Sequence, residues 1–291
     1  RTIKAKVFGE QHTVYIGSLI NLAILYANLK DDYSISEQLY LKAIGLYRKE
    51  PMKKDFNYVT CLTNLGGLYV KNGDYSKAES FYLECLEIQA KTMSKAHPNY
   101  AGTLINLANL NIYKKEYAKS EALLLEARNI FEIVLNDISH PFYVNCLMNL
   151  GSLYIKKQEY QKAEPLLLEV KEIRSKASKL ASFSVINSLG SLYGDMGEYA
   201  KAEAQASEAK EIVIKNMGKE CMEYGICLFN YYPLYQITNR IPLATATLLE
   251  LINLDHYLVE QSSAYMSENQ MHAYLQKYVQ RTYRYFSFLQ T

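Results

Sequence analysis

The chain is patterned in amphipathic stretches, and the clearest runs from Tyr143 to Arg174. Its first half sets Tyr143, Leu147, Leu150, Gly151 and Tyr154 on one face of a helix, since their spacings are three, four or one. A polar tetrad, Lys156 to Glu159, interrupts the pattern. The second half then places Tyr160, Ala163, Leu167 and Val170 three or four residues apart. This predicts two helices joined by a short turn. The small Gly151 and Ala163 would let the two backbones approach, with Leu147, Tyr154 and Leu167 filling the space around that contact.

The unit recurs. Its Gly151 position reappears as Ala23, Gly66, Ala108, Gly190 and Tyr232, so the six copies stand 43, 42, 43, 39 and 42 residues apart. Tyr75, Tyr117, Tyr160 and Tyr199 lie nine residues further on, and Ala78-Glu79, Ala163-Glu164 and Ala202-Glu203 mark the second helices. The order Leu-x2-Leu-Gly-x2-Tyr followed by Ala-x3-Leu resembles the tetratricopeptide repeat, with Leu147 where that family usually has Trp. The period exceeds the family's usual length of about 34. The extra residues fall in a linker containing His97-Pro98 or His140-Pro141, and Asn-Leu-Ala/Gly-x-Leu-Tyr stands at Asn21, Asn64 and Asn149. That form is similar to the kinesin-light-chain type. The resemblance implies an all-α, right-handed superhelical solenoid of antiparallel helix pairs. The repeats are expected over about 11–56, 57–99, 100–142, 143–181, 182–223 and 224–262.

Three stretches depart from the pattern. The second helix of the fifth copy has Ala where its neighbours have Leu, so it should pack thinly or very closely. In the sixth copy Pro233 follows Tyr232 directly, which predicts a kink or break. Residues 263–291 are expected to form a capping or connector helix, with Ser267 and Gln270 as a capping box and Tyr274, Tyr278, Tyr285 and Phe288 on its apolar face. The segment from Ser263 to Gln276 also resembles the junction that precedes a CHAT domain, a caspase-like peptidase fold. On that resemblance the array regulates an effector whose catalytic residues lie beyond Thr291, while the alternative is a free-standing adaptor that tethers cargo. Residues 1–10 are expected to be the end of a preceding repeat helix, cut from a longer protein.

Composition narrows the function. No apolar run approaches the ~18 residues of a membrane span, and a net charge of +2 favours neither nucleic acid nor an anionic membrane. Five cysteines without a CxxC pair indicate a reducing, cytoplasmic setting. Cys61, Cys146 and Cys227 share one register position, which marks them as small packing residues, as does Cys85 at the place of Ala127. No phosphate loop, HExxH or nucleophile elbow is present, so neither enzyme activity, cofactor nor metal is expected. The recurring Glu79, Glu121, Glu164 and Glu203 belong to successive hairpins rather than to one pocket.

Binding residues follow from the register. If the Gly151 position is numbered 8, the packing stripe is 0, 4, 8 and 11, and positions 2, 6, 9 and 13 face away from it. Tyrosines 15, 58, 100, 143 and 224 all occupy position 0, so they point inward rather than stack on nucleic acid. Position 6 is Asn21, Asn64, Asn106, Asn149, Ser188 and Asn230. Amides can pair with an extended peptide backbone, and the family resemblance implies that these asparagines contact bound peptide. The alternative is that each bonds a neighbouring helix. Asn145, Asn109, Lys71, Lys156 and Tyr113 extend the same surface. Only two cations, both at its outer edge, disfavour a C-terminal carboxylate ligand. The expected partner is a protein or extended internal peptide segment, from another chain or from a domain of the same one.

Overall fold

A computed structural model describes residues 13–29, 33–49, 56–135 and 139–263. Among them are twelve α-helices, one short 3-10 turn and no strand. The helices are α1 (Thr13–Leu29), α2 (Tyr33–Lys49), α3 (Phe56–Lys71), α4 (Tyr75–Thr92), α5 (Pro98–Tyr113), α6 (Tyr117–Val134), α7 (Pro141–Lys156), α8 (Tyr160–Ala177), α9 (Phe183–Asp195), α10 (Tyr199–Met217), α11 (Met222–Ile237) and α12 (Ile241–Ser263). The expected terminal helices at 1–10 and 263–291, including Ser267 and Gln270, lie outside the described residues apart from Ser263, the last residue of α12.

Two compact units divide at Gln158 and Glu159. In the first, α1 packs on α2, α3 on α4 and α5 on α6, and each pair meets the next through α2–α3, α4–α5 and α6–α7. The first helices also touch in series, α1 with α3, α3 with α5 and α5 with α7. Those helices therefore form one continuous layer. The second unit repeats the scheme with α9 on α10 and α11 on α12, joined through α8–α9 and α10–α11.

Local chemistry explains the regular hairpins. The first helices α3, α5, α7, α9 and α11 each end in a left-handed residue at one register position: Gly73, Lys115, Gln158, Gly197 and Asn239, with φ of 78, 61, 60, 76 and 56°. The next amide then closes back five residues, as in Asp74 N–H to the Tyr69 carbonyl at 2.9 Å and Glu116 N–H to that of Asn111 at 2.8 Å. This is a Schellman closure, which satisfies carbonyls left open at a helix end. The His-Pro pairs start helices. Pro98 and Pro141 occupy the first turns of α5 and α7, and His97 and His140 Nδ1 accept from the amides of Asn99 and Phe142 at 3.1 and 3.2 Å.

Packing follows the register. Tyr15, Tyr58, Tyr100, Tyr143 and Tyr224 are all buried. At Gly66 a Cβ would stand 2.6 Å from Cε1 of the buried Tyr82, so only glycine admits that ring. The buried Cys61 and Cys146 thiols donate to the carbonyls of Tyr40 and Leu124 on the preceding second helix, at 3.5 and 3.4 Å. Burial pushes the thiols of Cys61, Cys85 and Cys146 up to about 12, which leaves them protonated and inert.

The recurring glutamates have a common role. Glu37 accepts from Tyr69 at 2.5 Å, Glu79 from Lys114 at 2.9 Å, and Glu164 from Tyr193 at 2.9 Å. Glu121 accepts from both Tyr154 and Lys157, at 3.0 and 2.5 Å. Glu203 takes the Arg240 fork at 2.9 and 2.8 Å. In each case a second helix holds the C-terminal end of the next first helix, or the turn just after it.

Two departures resolve differently. Of the kink or break expected at Pro233, there is no break: the helix α11 continues through it. The ring is exposed while Tyr231, Tyr232 and Leu234 beside it are buried, so packing holds the helix across the missing hydrogen bond. The alanine-rich α10 buries Ala202, Ala206 and Ala209, and its small side chains leave a hollow of about 240 Å³ against α9 and α11.

Candidate functional site

The layer of first helices in the first unit carries two adjoining hollows. One, of about 240 Å³, lies between α3, the end of α4, α5 and α7. Asn64, Asn106 and Asn145 line it with Thr60, Thr63, Thr103, Gln89 and Asn99, and Ile105 and Phe142 supply apolar wall. The other, of about 320 Å³, shares Thr63, Asn64 and Asn106 and adds Tyr40, Tyr82 and Lys71. Asn64 and Asn106 thus stand where the two hollows meet.

The electrostatics are those of a neutral surface. Among the described residues no ionisable carboxylate or cation lines the first hollow, and Lys71 is the one charged side chain on the second. Lys71 Nζ also lies 5.9 Å above the Tyr33 ring. Burial, with Cys61 close by, pushes the Tyr40 hydroxyl up to about 12, and the hydrogen bond from Asn64 opposes that shift.

The remaining expected residues divide. Asn149 Nδ2 donates to the Asn145 carbonyl at 2.9 Å and lies 3.4 Å from Asn145 Oδ1, so it is turned along its own helix. Asn230, in the second unit, donates to Asn187 Oδ1 at 2.8 Å, and both line the hollow beside Pro233. Asn21, Lys156 and Tyr113 are exposed, Asn109 is half-buried, and none of the four borders the two hollows of the first unit. Tyr113 stacks on Tyr75 with centroids 6.0 Å apart.

Several lining residues fall outside the asparagine pattern. Thr60 occupies the register position of Asn145, a signal the sequence already carried. Gln89 and Asn99 come from the end of a second helix and the start of the next first helix, where no periodicity marks them. Among the described residues no group of three or more His, Cys, Asp or Glu is placed to hold a metal, and no helix is long and apolar enough to cross a membrane.

Comparison with known proteins places this geometry in context. The chain is similar in fold to a kinesin-light-chain protein of Podosopora anserina with nearly identical TPR-like repeats, at TM-score 0.61 and 20% identity over 71% of this chain and 98% of that one. It is similar to BtubC (BKLC) from P. vanneervenii, at TM-score 0.62 and 24% identity over 72% of this chain and 85% of that one. A Rap protein solved in complex with Competence and Sporulation Factor matches at TM-score 0.58 and 18% identity, over 87% of this chain and 68% of that one. No curated protein sequence matches significantly. The tetratricopeptide repeat family matches residues 14–91 and 99–176, more than half of the 291 residues. With its paired helices and recurring register, the chain belongs to the tetratricopeptide repeat family.

Proposed function

We propose that this chain is a non-catalytic scaffold that binds an extended peptide segment of a partner protein along the first helices of its first unit. The observation that carries this is the convergence of Asn64, Asn106 and Asn145 on one uncharged hollow. An amide offers a donor and an acceptor together, so a row of them suits a peptide backbone whatever its sequence. Among the described residues no cationic cluster surrounds these hollows, which favours an internal segment over a chain terminus, because a free carboxylate would find no described charge partner in the first of them. The similar fold of a Rap protein complexed with Competence and Sporulation Factor supports reading this fold as one that takes a partner.

The setting we favour is cytoplasmic, with the array serving as the recognition part of a larger effector. The more specific form, regulation of a CHAT peptidase domain, rests on the resemblance of Ser263 to Gln276 alone, and a cargo-tethering adaptor is its rival. The test is selection of a phage-displayed random peptide library on the wild-type protein and on the double variant Asn64→Ala, Asn106→Ala, with circular dichroism of both. We expect enrichment on the wild type, at least about tenfold lower recovery on the variant as two hydrogen bonds are lost, and equal helicity. Equal recovery on both proteins would discard the groove.

A further inference from the structure

The hollow between α9, α10 and α11 collects two departures from the repeat. The first is its space. Ala206 stands where other second helices bury Tyr82, Leu124, Leu167 and Leu248, and the room those side chains fill elsewhere is open here. The second is its charge. The first helices α3, α5, α7 and α11 end in Lys71, Tyr113, Lys156 and Ile237, whereas α9 ends in Asp195. An acid at a helix C-terminus meets the negative end of the helix dipole, so local propensity does not account for it.

Asp195 is exposed and is the one charged side chain that lines this hollow. Cations of the same unit are engaged elsewhere: Lys201 meets Glu198 at 2.6 Å, and the Arg240 fork holds Glu203 at 2.8 Å. Among the described residues no cation pairs with Asp195. Phe229, Pro233 and Ile237 give the hollow an apolar wall, and Asn187 and Asn230, joined at 2.8 Å, give it a neutral polar edge. Its volume of about 240 Å³ falls below the roughly 300–1,000 Å³ of small-molecule sites, which suits a single side chain.

These features select the occupant. A carboxylate would be repelled by Asp195. A hydrocarbon side chain would use the wall alone. A lysine or arginine uses both, with its methylenes along Phe229, Pro233 and Ile237 and its cation at Asp195.

We propose that this hollow is a binding site for a lysine or arginine side chain of a partner polypeptide, with Asp195 as its counter-ion. The site lies in the second unit and does not depend on the amide groove of the first.

Peptides selected from the displayed library on the wild-type protein provide the probe. Each is titrated calorimetrically against wild type, Asp195→Asn, Ala206→Leu and the Asn64→Ala, Asn106→Ala variant, and is also made with its basic residue replaced by methionine. We expect a class of peptides with a lysine or arginine whose affinity falls about two- to fivefold on Asp195→Asn, the scale of an exposed ion pair. The same peptides should lose at least about tenfold on Ala206→Leu, which fills the hollow. Their methionine forms should be indifferent to Asp195→Asn. Leucine at 206 should be accommodated, because Leu124 and Leu167 hold that place in two other copies, and Asp195→Asn tests the charge at an exposed position independently. Basic peptides that keep their affinity on either variant, or that lose as much on Asp195→Asn in their methionine form, overturn the site. A library that enriches nothing on the wild type overturns it together with the groove. Peptides lost only on the asparagine double variant overturn the site and leave the groove standing, and peptides lost only on Asp195→Asn and Ala206→Leu keep the site and discard the groove.

Discussion

The Tyr154 hydroxyl donates to the Glu121 carboxylate at 3.0 Å, across the seam between α6 and α7. Lys157 Nζ meets the other oxygen at 2.5 Å, and both partners of that ion pair are about one-fifth exposed. Removing the hydroxyl with Tyr154→Phe should lower unfolding stability by about 1–2 kcal/mol, the range for a hydrogen bond to a charged group. Glu121→Gln should cost a similar amount. Because they share one contact, the double variant should lose less than the sum. Urea unfolding of the four proteins decides this, and strict additivity would show that the contact contributes nothing.

Two glycines should respond in opposite directions to alanine. At Gly66 the new Cβ would meet Tyr82 Cε1 at 2.6 Å, forcing a buried ring to move. Gly66→Ala should therefore destabilise by about 1–3 kcal/mol. At Gly190 the nearest atoms are Gln205 Cβ at 3.6 Å and the Ala202 carbonyl oxygen at 3.8 Å, which is ordinary contact. There the gain in helix propensity should win, by about 0.5–1 kcal/mol. Thermal unfolding of the two variants checks the contrast in sign.

The hairpin turns offer a third comparison. Lys115 holds φ of 61° where Gly73 and Gly197 hold 78 and 76° in their own copies. The left-handed region penalises a side chain and admits glycine freely. Lys115→Gly should raise stability by about 0.5–1 kcal/mol, and Gly73→Ala should lower it by a similar amount. Both are read as shifts in urea midpoint.

High pH should unfold the protein by a route the buried acids define. Burial, reinforced by Glu84, raises the Tyr58 hydroxyl from its ordinary 10 to about 12, and burial with Glu164 does the same for Tyr193. Burial takes the Cys61 and Cys85 thiols from 9 to about 12. In each case the folded state favours the protonated form. The associated stability is whole below the ordinary value and falls as pH rises through the window from 9 to 12, because the unfolded chain releases its protons first. Urea midpoints measured from pH 8 to 12 should decline steadily above 9, and Tyr193→Phe should show a shallower decline between 10 and 12. A midpoint unchanged across that window would contradict the assignment.

Much of this was legible because the helical period is rigid. Once Gly66 and Gly151 were aligned, Tyr58, Tyr143, Cys61 and Cys146 fell at buried positions, as their register required. The seams were harder to see. The carboxylate repeats about every 42 residues, but its donors are Tyr69, Lys114, Tyr154, Tyr193 and Arg240, three residue types that no single motif unites. Asparagine recurrence at position 6 likewise could not separate Asn64, at a hollow, from Asn149, turned along its own helix. That distinction depends on what the neighbouring copy presents. Pro233 is a related case: local propensity argues for a kink or break, and buried neighbours on both sides carry the helix through it without a break.

The glutamate seats bear on how such an array can change its length. Copies two to five each carry the acceptor for their successor and the donor for their predecessor, and the acceptor tolerates a phenol, an ammonium or a guanidinium. Duplicating or deleting one whole unit of DNA coding for a hairpin would therefore rejoin a donor to a carboxylate at the new junction. The seam chemistry survives that event without a compensating substitution, whereas a cut inside a hairpin would separate partners such as Tyr58 and Glu84, which are bonded within one copy at 2.6 Å. Growth by whole repeats is thus the route along which this chain keeps every junction joined.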